Sequence, residues 1–235
     1  MLKYKIANPL GGIKMIYVTG DMHGDITRFK SRSFNKIKKG DTLIICGDFG
    51  FIWDGTKKEQ AILRKLGKLK YTVAFIDGCH ENYDILEGYE PTQWNGGKVR
   101  VISGRLIQLM RGQVFNIDDK KIFTFGGGNS QDFDIRFESN TWWEREQPTP
   151  HEIDEARINL EKNNNKIDYI FTHEPPLSLK KCLGVDTSEH LEVHSFFEEI
   201  IKGCTFKRWY FGKCHINRVI PQKFYSIFDD VLKVE

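Results

Sequence analysis

Metal-binding side chains recur along the sequence, and each follows a short apolar run. They are Asp21 and His23, Asp48, His80, His173 and His215. Any one of these alone would more often cap a turn or pack in a core. Together, at the same end of successive strands, they would crowd carboxylates and imidazoles, and such a group needs a cation to offset the cost of burial. Mixed Asp and His ligation suits Mn²⁺, Fe or Zn²⁺.

The apolar runs before the first three of these segments predict buried strands. They cover residues 15–19, 43–46 and 71–76 and are rich in β-branched residues. Between them, residues 26–37 and 57–69 have the spacing of amphipathic helices. Strands that alternate with helices predict a parallel α/β sheet, whose ligands gather beyond the carboxyl ends of the strands.

The rest of the chain predicts further strands and helices. Short apolar runs broken by Gly and Asp over residues 99–125 indicate antiparallel hairpins. Residues 149–163 and 188–202 predict helices, 167–171 and 208–211 predict buried strands, and 218–234 predict a closing pair or trio of strands. We therefore expect an α/β fold of two mixed β-sheets flanked by helices, with one domain over residues 15–235.

Residues 1–14 precede this pattern and form a leader of uncertain status. A start assigned too early, an expression remnant and an extra edge strand all remain open. The composition is sufficient for a sizeable hydrophobic core: the hydrophobic fraction is 40%, the charged fraction is 29% and the formal net charge is +3. Apolar runs fall well short of the roughly 20 residues that a membrane span needs, and the start lacks a signal-peptide core.

The five cysteines suggest a compartment. Their number is odd and their spacing does not resemble a disulfide framework, which favours a reducing environment. We expect a cytoplasmic protein with no membrane partner. The basic stretch over residues 28–70 predicts either a solvated face or a surface that attracts an anionic substrate. Arg111 and Arg136, as isolated arginines, predict surface residues rather than a phosphate clamp.

The order of these residues resembles the signature of the metallophosphoesterases, also called calcineurin-like phosphoesterases. The matching motifs are Asp21-x-His23, Gly47-Asp48, Gly78-x-His80-Glu81, His173 and Gly212-x-x-His215. The resemblance extends along nearly the whole chain from Met15. Residues 47–53, 94–98, 109–113 and 141–143 also resemble bacterial and phage members of unassigned substrate.

The resemblance implies the calcineurin-like phosphoesterase sandwich and metal-dependent hydrolysis of a phosphomonoester or phosphodiester. A metal-bridging hydroxide at a dinuclear site would attack, and two divalent metals, most readily Mn²⁺ with Fe or Zn²⁺ as options, would clamp the phosphate. Asp21, His23 and His215 would hold the first metal. Asp48 would bridge both metals, and His173 would hold the second.

The same resemblance gives His80 a catalytic role beside Asp48. It would lie just outside the metal shell and protonate the leaving oxygen or stabilise its charge. An imidazole with an ordinary pKa of about 6.5 can give such a proton near neutral pH.

Two positions depart from the family pattern. Cys79 stands where the family has Asn, and Lys213 stands where it has the first His of a late Gly-His-x-His motif. A protonated Lys offers no lone pair to a metal. Cys79 would bind as a thiolate and favour Zn²⁺ or Fe, or remain a neutral thiol, or be an introduced substitution. Cys79 stays among the candidate ligands, and we expect the second metal to bind weakly.

These departures support an alternative function. The chain would then be a catalytically weakened binding protein of the metallophosphoesterase fold with one intact metal site. As an enzyme, its substrate is left open: a phosphorylated small molecule, a nucleotide, a phosphoprotein and a nucleic-acid end all suit the metal chemistry. The oligomeric state is open as well.

Overall fold

The computed structural model describes residues 14–130, 132–187 and 191–235, and over these it shows thirteen strands and six α-helices. The strands are β1 (Ile16–Thr19), β2 (Thr42–Cys46), β3 (Thr72–Ile76), β4 (Pro91–Trp94), β5 (Gly97–Ser103), β6 (Leu106–Leu109), β7 (Gln113–Ile117), β8 (Lys120–Phe125), β9 (Tyr169–Thr172), β10 (Arg208–Phe211), β11 (Arg218–Ile220), β12 (Phe224–Ser226) and β13 (Leu232–Lys233). The helices are α1 (Lys57–Gly67), α2 (Tyr83–Leu86), α3 (Phe133–Glu138), α4 (Pro150–Lys162), α5 (Leu177–Leu183) and α6 (Glu192–Gly203).

The strands form two mixed sheets. The first has the order β13-β1-β2-β3-β6-β5-β4, and the second has the order β11-β12-β10-β9-β8-β7. Strands β1, β2, β3 and β6 run parallel in the first sheet, as do β8, β9, β10 and β12 in the second. The expected fold of two mixed sheets flanked by helices is confirmed.

The central strands bury both faces, which explains why they read as unbroken apolar runs. In β2, Ile44 and Cys46 face the second sheet, whereas Leu43 and Ile45 pack on the opposite side. The inner cluster also includes Phe171 of β9. The sandwich therefore has apolar layers between its sheets and between each sheet and the helices outside it.

The longer helices begin where the sequence supplies capping groups. Thr56 accepts a hydrogen bond from the backbone N–H of Glu59 at the start of α1. Thr149 and Glu152 form a capping box at the start of α4, with Pro150 in the first turn. These caps satisfy N–H groups that have no partner inside the helix and fix where each helix starts.

The predicted helix over residues 26–37 is wrong. The structure has two short 3₁₀ helices there, Arg28–Lys30 and Arg32–Lys36, separated by Ser31 in an extended conformation. The side chain of Asp25 accepts hydrogen bonds from Thr27, and the Ser31 hydroxyl bonds that of Ser33. Such local bonds compete with a regular helix, which the apolar spacing alone did not reveal.

The hairpins predicted over residues 99–125 are present, but they lie in different sheets. Strands β5 and β6 pair antiparallel in the first sheet, and β7 and β8 do so in the second. Helices α2, α3 and α5 and strand β4 were not predicted. Of the expected leader, residues 1–13 lie outside the described residues. None of the helices in the described ranges is long and apolar enough to cross a membrane.

Candidate active site

The structure brings all the candidate site residues to one end of the sandwich. Loops after β1, β2 and β3 of the first sheet face loops after β9 and β10 of the second. The loops carry Asp21 and His23, Asp48, Cys79 and His80, His173, and Lys213 and His215. Because these strands run parallel within each sheet, their carboxyl ends meet at this edge.

The first group consists of Asp21, His23 and His215. One ligand atom from each lies within 4.8 Å of the others. The Nε2 atoms of His23 and His215 are 2.9 Å apart, and Nε2 of His215 is 3.4 Å from Oδ2 of Asp21. That oxygen is buried and has no hydrogen-bond partner among the described residues. Buried polar atoms are rarely left without a partner, so this oxygen fits a cation.

Asp48 lies at the centre of the site. Its Oδ1 accepts hydrogen bonds from the backbone N–H groups of Cys79 at 2.6 Å and His80 at 3.0 Å. Its Oδ2 lies 3.8 Å from Nε2 of His23. Burial raises the pKa of Asp48, but His173 and His80 beside it lower the pKa well below its ordinary value. The side chain is therefore a carboxylate at neutral pH.

His80 contacts Asp48 directly. Nδ1 of His80 is 2.9 Å from Oδ2 of Asp48, and Nε2 is 3.9 Å from a carboxylate oxygen of Asp132. The imidazole is one-third exposed, so one ring nitrogen is held inward and the other faces the cavity. His80 also belongs to the second group, with His23 and Asp48, whose ligand atoms are close enough together to hold an ion. The geometry thus allows either a proton donor or a ligand.

The third group is Asp48, Cys79 and His173, all buried. Nε2 of His173 lies 3.7 Å from the Cys79 sulfur and 3.4 Å from Oδ1 of Asp48. Nδ1 of His173 lies 3.2 Å from the carbonyl oxygen of Cys46. Burial raises the pKa of the Cys79 thiol. A thiol that keeps its proton is a poor metal ligand, because the thiolate is the binding form.

Lys213 is the nearest cation to this third group. Its Nζ donates to the Cys79 sulfur at 3.1 Å and to the carbonyl oxygen of Asn129. Nζ also lies 3.7 Å from Oε1 of Glu174. Burial lowers the pKa of Lys213, but its contacts with Cys79, Glu174 and Asp48 raise the pKa more, above the ordinary value. The ammonium form is therefore present at neutral pH.

The loops hold several site residues in a left-handed backbone conformation. The residues concerned are His23, Asp48, Lys213 and His215, with φ between 41° and 66°. Non-glycine residues in this region cost energy and concentrate at functional sites. Gly47 is needed for a different reason, since a Cβ at this position would overlap the imidazole of His173. The backbone is shaped to bring these side chains together.

An open cavity of about 580 Å³ lies over the site. Asp48, His80, Lys213 and His215 line it. Asp132, Lys180 and Asp186 also line the cavity, and sequence analysis did not select them. Asp132 precedes α3 and Lys180 lies in α5, two helices that the pattern did not predict, so no strand-end signal marked these residues.

Arg111 and Arg136 are buried, which corrects the prediction that these isolated arginines are surface residues. Arg111 is buried and donates to Asp77 and to Glu152. Arg136 is buried and paired with Glu146. Arg111 has two acidic partners that are 34 and 41 residues away, and Arg136 has one that is 10 residues away; these carboxylates offset the cost of burying each positive charge.

The chain matches a known protein family over most of its length. The family model described as calcineurin-like phosphoesterase matches residues 14–204. A similar solved structure is that of a phosphopantetheinyl hydrolase from Mycobacterium tuberculosis. Its TM-score is 0.44 at 16% sequence identity, and the alignment covers 93% of this chain and 91% of that chain. A search of curated proteins gave no significant match.

Proposed function

The chain belongs to the calcineurin-like phosphoesterase family and is a metal-dependent phosphoesterase, and from that premise we propose which residues perform the hydrolysis. We propose that Asp21, His23, Asp48 and His215 hold a divalent metal and that His80 assists the leaving group. The observation that carries the proposal is the buried, unpartnered Oδ2 of Asp21 beside two imidazoles.

The donor set fits a divalent metal. Two carboxylates and two imidazoles are the ligand types that Mn²⁺, Fe and Zn²⁺ share, and we propose Mn²⁺ as the working metal. A bound metal would activate water and neutralise the charge of phosphoryl oxygens. The chain's own part is to hold these ligands at one point and to keep Asp48 ionised.

The position of the His80 ring supports a role as proton donor. Its Nδ1 faces the Asp48 carboxylate, which fixes the plane of the ring and favours a proton on Nδ1. Its Nε2 faces the cavity, where the leaving oxygen of a bound phosphoester would lie. We propose that His80 reacts as the imidazolium, with a proton on each ring nitrogen: the Nε2 proton passes to this oxygen as the ester bond breaks, and the neutral ring keeps the Nδ1 proton that faces Asp48. Water later restores the proton.

The dinuclear mechanism of the family needs a second ion at Asp48, Cys79 and His173. These groups are close enough to hold one. The Lys213 ammonium, however, lies against the Cys79 sulfur, so the second position fits a metal less well than the first. We therefore assign the hydrolysis to the first metal and to His80, and we derive no step from a second metal.

We propose a small phosphorylated molecule as the substrate. A cavity of about 580 Å³ is within the usual range for small-molecule sites, about 300–1,000 Å³. A nucleotide, the end of a nucleic acid and a phosphoprotein side chain are the other partners that the chemistry allows. The reducing compartment expected from the cysteines suits a cytoplasmic enzyme.

The test compares p-nitrophenyl phosphate with bis-p-nitrophenyl phosphate at increasing Mn²⁺. We expect Mn²⁺-dependent release of p-nitrophenol, and the preferred compound distinguishes a monoesterase from a diesterase. An Asp48→Asn variant serves as the negative control. If purified protein with a stoichiometric metal turns over neither compound nor a panel of natural phosphoesters, the weakened binding protein is the better assignment.

A further inference from the structure

The two departures from the family pattern contact each other. Cys79 follows β3 of the first sheet, and Lys213 follows β10 of the second. Their side chains meet across the site, with Nζ of Lys213 3.1 Å from the Cys79 sulfur. The two residues are 134 positions apart in the sequence, and the fold brings them into direct contact.

We propose that the Lys213 ammonium takes the place of the second metal, so that the enzyme works with one bound metal and one built-in cation. The inference rests on the proposed phosphoesterase activity. Cys79 makes the exchange possible by leaving room for the ammonium. Lys213 then becomes a catalytic residue that binds a phosphoryl oxygen of the substrate.

The position of the ammonium supports this exchange. Among the described residues, it contacts the Cys79 sulfur, the carbonyl oxygen of Asn129 and the carboxylate of Glu174. The sulfur that it contacts also lies 3.7 Å from Nε2 of His173. A divalent ion held by Cys79 and His173 would have to share this space with a positive charge. Like charges repel strongly where burial excludes water.

The choice of cysteine has a steric reason. The usual asparagine carries two polar atoms at the end of its side chain, whereas Cys79 carries a single sulfur. The cysteine sulfur accepts a hydrogen bond from the ammonium, and it has no N–H group that would point at the ammonium. An asparagine here would direct two more heavy atoms toward the volume that Lys213 occupies.

The ammonium is also connected to the reaction centre. The backbone N–H of Lys213 donates to Oδ1 of Asp21 at 3.2 Å, and φ of Lys213 is 66°. The side chain is 13% exposed and lines the same cavity as Asp48 and His80. A lysine ammonium is a compact point charge suited to a phosphate oxygen. Lys213 can therefore reach a substrate phosphate beside the first metal.

A purely structural role for Lys213 is less consistent with its surroundings. Glu174 is the acidic group that such a role would serve. This carboxylate already lies 2.9 Å from Nζ of Lys180 and 3.3 Å from Nε2 of His194. Both of these contacts are made by Oε2, whereas Lys213 lies 3.7 Å from Oε1, which is too far for a hydrogen bond.

The first experiment counts metals without reference to activity. Protein purified without chelator is loaded with Mn²⁺, desalted and analysed by plasma mass spectrometry, with calorimetric titration as a second measure. We expect one tightly bound Mn²⁺ per chain in the wild type. We expect two in a variant that combines Cys79→Asn with Lys213→His. Lys180→Met is the matched control, a second lysine of the same cavity, and should still bind one.

The second experiment measures the anion site. Inorganic phosphate is titrated into Mn²⁺-loaded wild type and into Lys213→Met. We expect the affinity for phosphate to fall at least about tenfold in the variant while its metal content stays at one. Steady-state kinetics should show a higher KM for p-nitrophenyl phosphate. Circular dichroism checks the fold of each variant.

Two equally tight Mn²⁺ ions in the wild type would overturn the exchange, and this measurement needs no variant. Unchanged phosphate affinity in Lys213→Met would overturn the role assigned to the ammonium. If the wild type binds one metal and phosphate as expected but hydrolyses no phosphoester, the proposed function fails, whereas the replacement of the second metal by the Lys213 ammonium stands.

Discussion

At the scale of single residues, His80 is the side chain whose role the structure leaves most open to experiment. Because its Nδ1 faces Asp48 and its Nε2 faces the cavity, we expect His80→Ala to lower turnover about 10²–10⁴-fold with no loss of bound metal. The loss should shrink for p-nitrophenyl esters, whose leaving groups need little protonation. Turnover and metal content are measured on the same sample.

The control is His151→Ala, an exposed histidine in the first turn of α4. It should leave both turnover and metal content unchanged. If His80→Ala protein instead loses its metal, His80 is a ligand, as its grouping with His23 and Asp48 allows.

Asp21 provides the second residue-scale prediction. Replacing it by Asn keeps the shape but removes the charge of the buried oxygen beside His215. Residues that merely support metal ligands change metal affinity by about 10–100-fold, so we expect Asp21→Asn to weaken Mn²⁺ binding at least that much. Calorimetric titration measures this directly. Equal affinity in wild type and variant would remove Asp21 from the ligand set.

At the scale of elements, the Arg111–Asp77 ion pair ties the end of β3 to α4. Asp77 accepts from Arg111 and from the hydroxyl of Tyr83, and Arg111 also donates to Glu152 at the start of α4. Breaking one side of a buried ion pair commonly costs about 3–5 kcal/mol. We expect Asp77→Asn to lower the free energy of unfolding by about this amount at pH 7, as measured by urea denaturation.

The same pair predicts a pH dependence. Burial raises the pKa of Asp77, but the ion pair with Arg111 lowers this pKa by a larger amount. The pKa of Asp77 in the folded state therefore lies below the ordinary value of 3.8. A depressed carboxyl pKa stabilises the fold above the unfolded-state pKa of about 3.9, and this stabilisation declines as the pH falls below that value. The difference in unfolding free energy between wild type and Asp77→Asn should narrow below pH 4. A constant difference would contradict the assignment.

The elements also show what the sequence could predict. Strands β1, β2 and β3 were recognisable because both of their faces are buried, which makes their residues continuously apolar. The site residues were recognisable because each is a polar side chain that directly follows one of these apolar strands. The short 3₁₀ turns after Asp25 depend on local side-chain bonds that apolar spacing does not report.

Buried arginines were beyond sequence analysis for a different reason. The position of Arg136 depends on Glu146 and on the carbonyl of Thr141, whereas its own helix α3 exposes Ile135 and Phe137. A helix that turns an arginine inward and apolar residues outward inverts the pattern on which predictions rely. The partner that draws Arg136 inward, Glu146, can be recognised only in the folded chain.

At the scale of the whole molecule, the proposed metal ligands come from both sheets. Asp21, His23 and Asp48 follow strands of the first sheet, and His215 follows a strand of the second. A ligand that binds only the folded state stabilises it by about 2.7 kcal/mol at 100 times its dissociation constant. For a chain of this size that corresponds to a rise in Tm of about 5–10 °C.

We therefore expect Mn²⁺ to raise Tm and excess EDTA to reverse the change, measured by differential scanning fluorimetry. In Asp21→Asn protein the rise should be much smaller at the same Mn²⁺ concentration. An equal rise in the variant would mean that Mn²⁺ stabilises the protein from another place.

Ligands that span two sheets have a further consequence for local opening. The sheets are held together by apolar contacts along their length, but at the end where β1, β2 and β10 finish, polar loops face each other. We expect the metal-free protein to open at this end while its centre stays closed. Amide hydrogen exchange should then be fast in the loops after these strands and slow in the hairpin of β7 and β8, and adding Mn²⁺ should protect the former alone.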